Sequence, residues 1–211
     1  MMFQRSWFWD RLAKRYERMP VADQAAYETK LEKTRAFLRP DSRVLEFGCG
    51  TGSTAILHAP HAAHILAIDY SARMLDIARE KASAAGVRNL SFVQATLAEL
   101  ASPAGSWDVV LGMSILHLVP DRAATLARVH ELLKPGAVFI SSTICIGDAS
   151  WLMRVLAPVF RALPLLPSIS SLTLKQLQDE LKCAGFEIED CWRPDENKAA
   201  FVVARKRLSE E

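Results

Sequence analysis

Val44-Leu45-Glu46-Phe47-Gly48-Cys49-Gly50-Thr51-Gly52 is the stretch that decides the fold. A short apolar run, Val44, Leu45 and Phe47, ends in glycines at alternate positions, and a helix-like pattern follows from Ser53. Strand, glycine turn and helix start together present backbone N–H groups to an anionic or polar ligand. Glycines there allow backbone angles closed to other residues and let a ligand lie against bare backbone. A dinucleotide fingerprint needs glycines at positions one, three and six. Here position six is Ser53 and the third glycine comes one place early, so that spacing is not met.

Outward from this loop the chain alternates strand and helix. Strands are predicted over residues 43–47, 64–69, 90–95, 107–112 and 137–143. Ser71 is a suitable N-cap for a helix to Ala85, with Gly86 just past its end. A further helix over 122–133 is closed by Lys134-Pro135-Gly136. Such alternation implies a parallel sheet covered by helices on both faces. Upstream, residues 3–19 and 22–38 read as two helices separated at Met19-Pro20. Downstream, Thr173 and Gln176 form a capping box for a helix ended by Gly185. Two strands over 186–193 and 199–206, joined by a polar turn at 194–197, then predict an antiparallel close.

Composition sets bounds on function. The 211 residues suit one sizeable domain, and 26 basic against 24 acidic residues leave a charge of only +2, which gives no general bias toward nucleic acid. The four cysteines, Cys49, Cys145, Cys183 and Cys191, make no C-x-x-C pair and no metal-ligand spacing; reduced thiols in a cytoplasmic protein are the expectation. Arg5, Asp10 and Arg11 stand where a signal peptide would need an apolar core. The most apolar stretch, 151–167, is broken by Arg154, Pro158, Arg161 and Pro164, so no stable membrane insertion is expected. His58, His61 and His64 invite a metal reading, but Pro60 interrupts any helix between them and no metal is expected.

With its Glu46 two residues before the first glycine, the G-x-G-x-G loop resembles the first motif of class I S-adenosylmethionine-dependent methyltransferases of small-molecule type, and the likeness runs in order from about residue 8 to about residue 205. It implies an α/β, Rossmann-like, doubly wound seven-stranded sheet, mostly parallel with an antiparallel last strand, and an N-terminal helical cap. The corresponding division is a single domain: cap 1–40, cofactor-binding core 41–143, apolar insertion or lid 144–172, and last helix with hairpin 173–206. The cofactor implied is S-adenosylmethionine, with S-adenosylhomocysteine as product and a small molecule as methyl acceptor.

The resemblance also assigns site residues. Gly48, Cys49, Gly50 and Gly52 would form the cofactor loop; Glu46 would meet the methionine ammonium or order the loop; Asp69 would hold the ribose, with Tyr70 and Met74 beside the adenosine. Asp69 could alternatively serve as an N-cap partner of Ser71. Many relatives carry Gly-Asp-Ala after the third strand; here the aligned residues are Ala95-Thr96-Leu97, so Thr96 and the Leu97 backbone are the adenine candidates. Gly112 and Met113 close the fourth strand, and His117 beyond them is the candidate general base or else a structural histidine. From the cap, Tyr16 is the better and Tyr27 the weaker candidate to touch the methionine end, while Trp7 and Phe8 read as packing. The insertion, with Trp151 and Phe160, reads as an apolar lid or as a packing helix, and as a lid it would suit an apolar or amphiphilic acceptor. The absence of an Asn-Pro-Pro-Tyr signature, where Gly112-Met113-Ser114-Ile115 stands, disfavours nucleic-acid acceptors. A catalytically silent binding module and, at greater distance, an NAD(P)-dependent oxidoreductase are the alternatives.

Overall fold

The computed structural model describes residues 3–148 and 171–208. Seven strands form one sheet: β1 (Arg43–Phe47), β2 (His64–Asp69), β3 (Leu90–Gln94), β4 (Trp107–Met113), β5 (Leu133–Thr143), β6 (Phe186–Trp192) and β7 (Ala200–Lys206). Their order is β3-β2-β1-β4-β5-β7-β6. β1 to β5 pair in parallel, and β7 runs antiparallel to both β5 and β6, so it is the one reversed strand of the sheet. Six described α-helices accompany the sheet: α1 (Phe3–Glu17), α2 (Gln24–Arg35), α3 (Ser53–His58), α4 (Ala72–Ala84), α5 (Arg122–Leu132) and α6 (Leu174–Cys183).

Side-chain alternation along the strands divides the interior into two layers. On β5, Phe139 faces a cluster with Leu126, Val129, Leu177 and Leu181 from α5 and α6. Val138 and Ile140 on the same strand face the other cluster, with Ala55 of α3 and Leu75 of α4. The Phe139 ring lies between Phe47 and Phe186, with centroids 6.2 and 6.0 Å away. Both faces are therefore buried, which accounts for the near-continuous apolar runs of the central strands.

Chain order also locates the crevice. The chain runs outward from β1 through β2 to β3, then crosses back to place β4 on the opposite side of β1. Ligands of open α/β sheets bind at such a switch point, beyond the carboxyl ends of the strands. The ends of β1 and β4 are Glu46-Phe47-Gly48 and Gly112-Met113-Ser114.

Cap and core are joined by hydrogen bonds and a small apolar contact. Asp10 of α1 accepts from the Ser71 hydroxyl at 2.6 Å and from the Arg73 amide at 3.2 Å, while Ala13 packs with Met74 and Ile77. The capping box of α6 is present as the sequence suggests: Thr173 Oγ1 accepts from the Gln176 amide at 3.1 Å and Gln176 Oε1 from the Thr173 amide at 2.9 Å.

Several boundaries differ from expectation. α2 begins only at Gln24 because Asp23 caps it, accepting from the Ala26 amide at 3.0 Å. α5 stops at Leu132, and β5 starts at Leu133 rather than at Ala137. Leu133 pairs with Trp107, whereas Val138 pairs with Val109; the register slips between them, and Lys134-Pro135-Gly136 forms an irregularity inside the strand, not a terminator before it. Most of the expected insertion, with Trp151 and Phe160, lies outside the described residues.

Candidate functional site

One cavity of about 1480 Å³ opens over the carboxyl ends of the strands, beneath α1 and α2. That exceeds the 300–1,000 Å³ typical of a pocket for one small ligand, leaving room for two. It is lined by Tyr16, Glu46, Gly48, Cys49, Gly50, Asp69, Tyr70, Met74, Thr96, Leu97 and Met113, so most of the residues singled out in the sequence come together on its wall.

The loop after β1 has three glycines at positive φ: 64° at Gly48, 53° at Gly50 and 72° at Gly52. It is tied to β2 by the Cys49 amide, which donates to the Ile68 carbonyl at 3.1 Å. The outer two glycines make room for protein. A Cβ at Gly48 would lie 2.6 Å from Ile115 Cγ1, and one at Gly52 would lie 2.9 Å from the Ala78 methyl. A Cβ at Gly50 would meet nothing within 4 Å. Gly50 therefore leaves empty space on the cavity wall where a ligand can approach bare backbone.

Two buried carboxylates flank that space. Asp69, 8% exposed at the end of β2, accepts from the Gly50 amide through Oδ2 and from the Ser71 amide through Oδ1, each at 2.9 Å. It thus serves the loop and the start of α4 at once, and with the Tyr70 amide also bonding to it the carboxylate still keeps acceptor capacity for a ligand donor. Burial pushes its pKa up, against the backbone N–H bonds that lower it. Glu46, 2% exposed, has an Oε2 with no hydrogen-bond partner among the described residues. Burial, with the nearby Asp69 charge, pushes its pKa up to about 8. An orphaned acceptor of this kind suits a ligand cation or donor.

The linkage has a definite sign. Because the folded pKa of Glu46 lies above the ordinary carboxylate value, the folded state holds its proton more tightly, so this contribution is full below about pH 4.5 and declines as pH rises to about 8. Glu46→Gln keeps the shape without the charge. It is expected to raise the stability of the ligand-free protein above pH 8, by up to about 5 kcal/mol, and to flatten the profile between pH 5 and 8, as chemical denaturation across pH would measure.

At the end of β3 the expected Thr96 is already engaged. Its amide and hydroxyl both donate to Glu99 Oε2, at 3.1 and 2.8 Å. The carboxylate on this rim of the cavity is Glu99, three residues beyond the aligned position, and nothing in the motif spacing pointed to it. Beyond β4, Ser114 has φ 57°, the one described non-glycine residue at positive φ, and its amide donates to the Ser142 carbonyl at 2.8 Å. Such strain, held by a hydrogen bond on the cavity wall, is typical of a functional position. From the cap, Tyr16 and Tyr27 both reach the cavity, together with Trp9, whose ring meets Tyr16 edge-on at 6.2 Å.

Three expected site residues do not line the cavity. Gly52 packs under Ala78 and Phe92, and Gly112 faces inward, where a Cβ would lie 2.9 Å from the Phe47 ring. His117 is 5% exposed and lies off the cavity wall; burial lowers its pKa to about 4, leaving a neutral imidazole. The geometry favours the structural role for this histidine over that of a base in contact with ligand. Of the other histidines, His58 is fully buried and does line the cavity, whereas His64 bonds the Ser91 hydroxyl at 2.9 Å. Among the described residues no group of three or more metal-type side chains gathers, and no helix is long and apolar enough to cross a membrane.

Comparison with known proteins agrees with this architecture. A family described as a methyltransferase domain matches residues 44–136. The ubiquinone biosynthesis O-methyltransferase of Erwinia tasmaniensis is 37% identical over 114 residues, covering 54% of this chain and 46% of that protein. Its counterpart from Hahella chejuensis is 36% identical over 129 residues, covering 61% and 53%. The chain thus spans about half the length of the curated relatives it matches. Among solved structures, a methyltransferase from Thermotoga maritima aligns with a TM-score of 0.73 at 21% identity, covering 95% of this chain and 98% of that one. The [4+2]-cyclase SpnF also aligns at 0.73, with 20% identity over 88% and 82% of the two chains. Residues 44–136 thus match a methyltransferase domain, and the fold of the whole chain is that of the solved methyltransferase structures it aligns with.

Proposed function

We propose that the protein binds S-adenosylmethionine at the β1–β2–β3 side of the cavity and transfers its methyl group to a small-molecule acceptor held over β4 and β5. The observation that carries the reading is the open space at Gly50, set between the orphaned Glu46 carboxylate and the Asp69 carboxylate. These residues fit the group. Asp69 retains acceptor capacity for ribose hydroxyls, Glu46 has an unpartnered oxygen for the methionine ammonium, and Gly50 leaves room for the backbone approach. Thr96, Leu97 and Glu99 form the wall available to the adenine, with Tyr70 and Met74 beside the adenosine and Tyr16 and Cys49 toward the methionine end.

S-adenosylmethionine supplies a methyl group already activated by its positive sulfur. What remains for the chain is to hold donor and acceptor in line and keep water out. The cap contributes to both, since Trp9, Tyr16 and Tyr27 close over the strand ends. A dedicated base in contact with the acceptor is not obligatory, consistent with the placement of His117 off the wall. Met113, Ile115 and Leu118 make the β4 side of the wall apolar, which suits an apolar or amphiphilic acceptor. The nearly balanced charge gives no support to nucleic acid as acceptor.

Because SpnF shares the backbone, fold alone does not carry the reaction, and turnover has to be measured. S-adenosylhomocysteine release is expected when wild type is incubated with S-adenosylmethionine and a panel of phenols, amines and thiols. Asp69→Ala should lower that release at least about tenfold, the loss of one charge-assisted hydrogen-bonding group. Binding of S-adenosylmethionine without release for any acceptor would favour a silent binding module instead.

A further inference from the structure

The wall contributed by α2 and α3 holds a cation that the cofactor reading leaves unused. Lys30 of α2 lines the cavity and donates to the Ser142 hydroxyl at 2.9 Å, and Ser142 is itself only 3% exposed, at the end of β5. Its neighbours on this side are paired: Lys33 meets Asp190 at 2.7 Å and Lys198 meets Asp23 at 3.1 Å. Lys30 has no carboxylate within 4 Å among the described residues, although Glu17, Glu46, Asp69, Glu99 and Asp121 all line the same cavity. Residues 149–170 contain Arg154 and Arg161 and no acidic side chain. Burial lowers the Lys30 pKa, opposed by the more distant Asp23. A half-buried ammonium held only by a hydroxyl is under-compensated.

Position in the sheet says which ligand would compensate it. The cofactor-side groups, Glu46, Asp69 and Thr96, stand at the ends of β1, β2 and β3. Ser142 stands on β5, which β4 separates from β1. With strands about 4.8 Å apart, Lys30 is anchored roughly 10 Å across the sheet from Glu46. His58 is fully buried, lines the same cavity and has no partner on either ring nitrogen among the described residues. A neutral imidazole can donate one further hydrogen bond to an anion.

We infer that Lys30, with the Ser142 hydroxyl, is a specificity-determining pair that binds a carboxylate on the methyl acceptor. The inference rests on the proposed methyltransferase reading and narrows its acceptor to carboxylic acids with an apolar body. The same chemistry could be offered by the methionine carboxylate of the cofactor, and the test separates the two sources.

Wild type and Lys30→Met are titrated with S-adenosylhomocysteine and with 5′-methylthioadenosine, which lacks the amino-acid end. Both proteins are then assayed for turnover on a panel of hydroxybenzoic and hydroxyalkanoic acids and on the methyl esters of the same acids. The expected result is turnover of acids over esters, a loss of about tenfold to a hundredfold in kcat/KM on the acids in Lys30→Met, and an unchanged preference for S-adenosylhomocysteine over 5′-methylthioadenosine. Lys30→Arg, which keeps the charge, should retain the acid-over-ester preference. The inference is overturned if the esters are turned over as well as the acids, or if neither set is turned over. It is also overturned if Lys30→Met erases the preference for S-adenosylhomocysteine, since the carboxylate read would then be the cofactor's. Failure of wild type to bind S-adenosylhomocysteine at all would instead strike at the methyltransferase reading itself.

Discussion

Gly50→Ala is expected to weaken S-adenosylmethionine binding by at least a hundredfold while leaving the protein folded. Two effects separate at this residue. The backbone sits at φ 53°, where a side chain costs about 1 kcal/mol of stability, an amount a domain of this size tolerates. The added methyl meets no protein atom within 4 Å, so it enters the cavity and occupies the space against which the ligand would lie. Loss of that approach together with displacement of the Gly50 amide from Asp69 amounts to about 3 kcal/mol, or roughly two factors of ten. Titration calorimetry reads the binding and thermal unfolding reads the fold. Gly52→Ala gives the complementary result: its methyl would press on Ala78 and Phe92, so stability should fall, with affinity lost only as the loop shifts. Unchanged affinity in a folded Gly50→Ala protein would mean that the ligand lies elsewhere.

The largest effect on stability is expected at Phe139. It is fully buried on the central part of β5, stacked on Phe47 and tilted against Phe186, thereby joining β1, β5 and β6 through one layer of the core. Phe139→Ala removes a whole ring from a close-packed site that cannot collapse without moving the sheet, and should cost about 3–5 kcal/mol. For a chain of this length that is a fall of about 6–20 °C in Tm. Urea unfolding should show the midpoint shift with an unchanged slope if the folded state keeps its compactness. A cost below about 1 kcal/mol would show that the layer described around Phe139 does not bear on folding.

How much of this was legible beforehand differs by element. β1 and β2 were read to the residue because buried parallel strands are short apolar runs with abrupt ends, here the glycine loop and Asp69. β5 was read short, since Pro135-Gly136 looks like a stop and only the pairing of Leu133 with Trp107 draws the strand past it. The alternate glycines announced a loop, but their different duties were invisible. Whether a glycine makes room for Ile115, for Ala78 or for a ligand depends on what tertiary packing brings to it. Gly112 and His117 were assigned by their nearness to a motif in sequence, yet Gly112 turns its bare face to Phe47 and His117 lies under the wall. Lys30, Glu99 and Ser142 went unmarked for the converse reason. Each is an ordinary residue in its own element and gains meaning only where α2, the turn after β3 and the end of β5 meet at one cavity. Ser114 carries no sequence signal for its positive φ, because serine is not a residue that favours it.

The central claim is that the Glu46–Gly50–Asp69 arrangement holds the adenosyl and methionine parts of S-adenosylmethionine. Isothermal titration of S-adenosylmethionine and S-adenosylhomocysteine into wild type, Gly50→Ala and Asp69→Ala, with NAD as control, tests it most directly. The account predicts micromolar binding of both sulfur ligands to wild type, at least a hundredfold loss in Gly50→Ala, at least a tenfold loss in Asp69→Ala and no heat from NAD. Heat from NAD alone, or equal binding of the sulfur ligands to all three proteins, would contradict it.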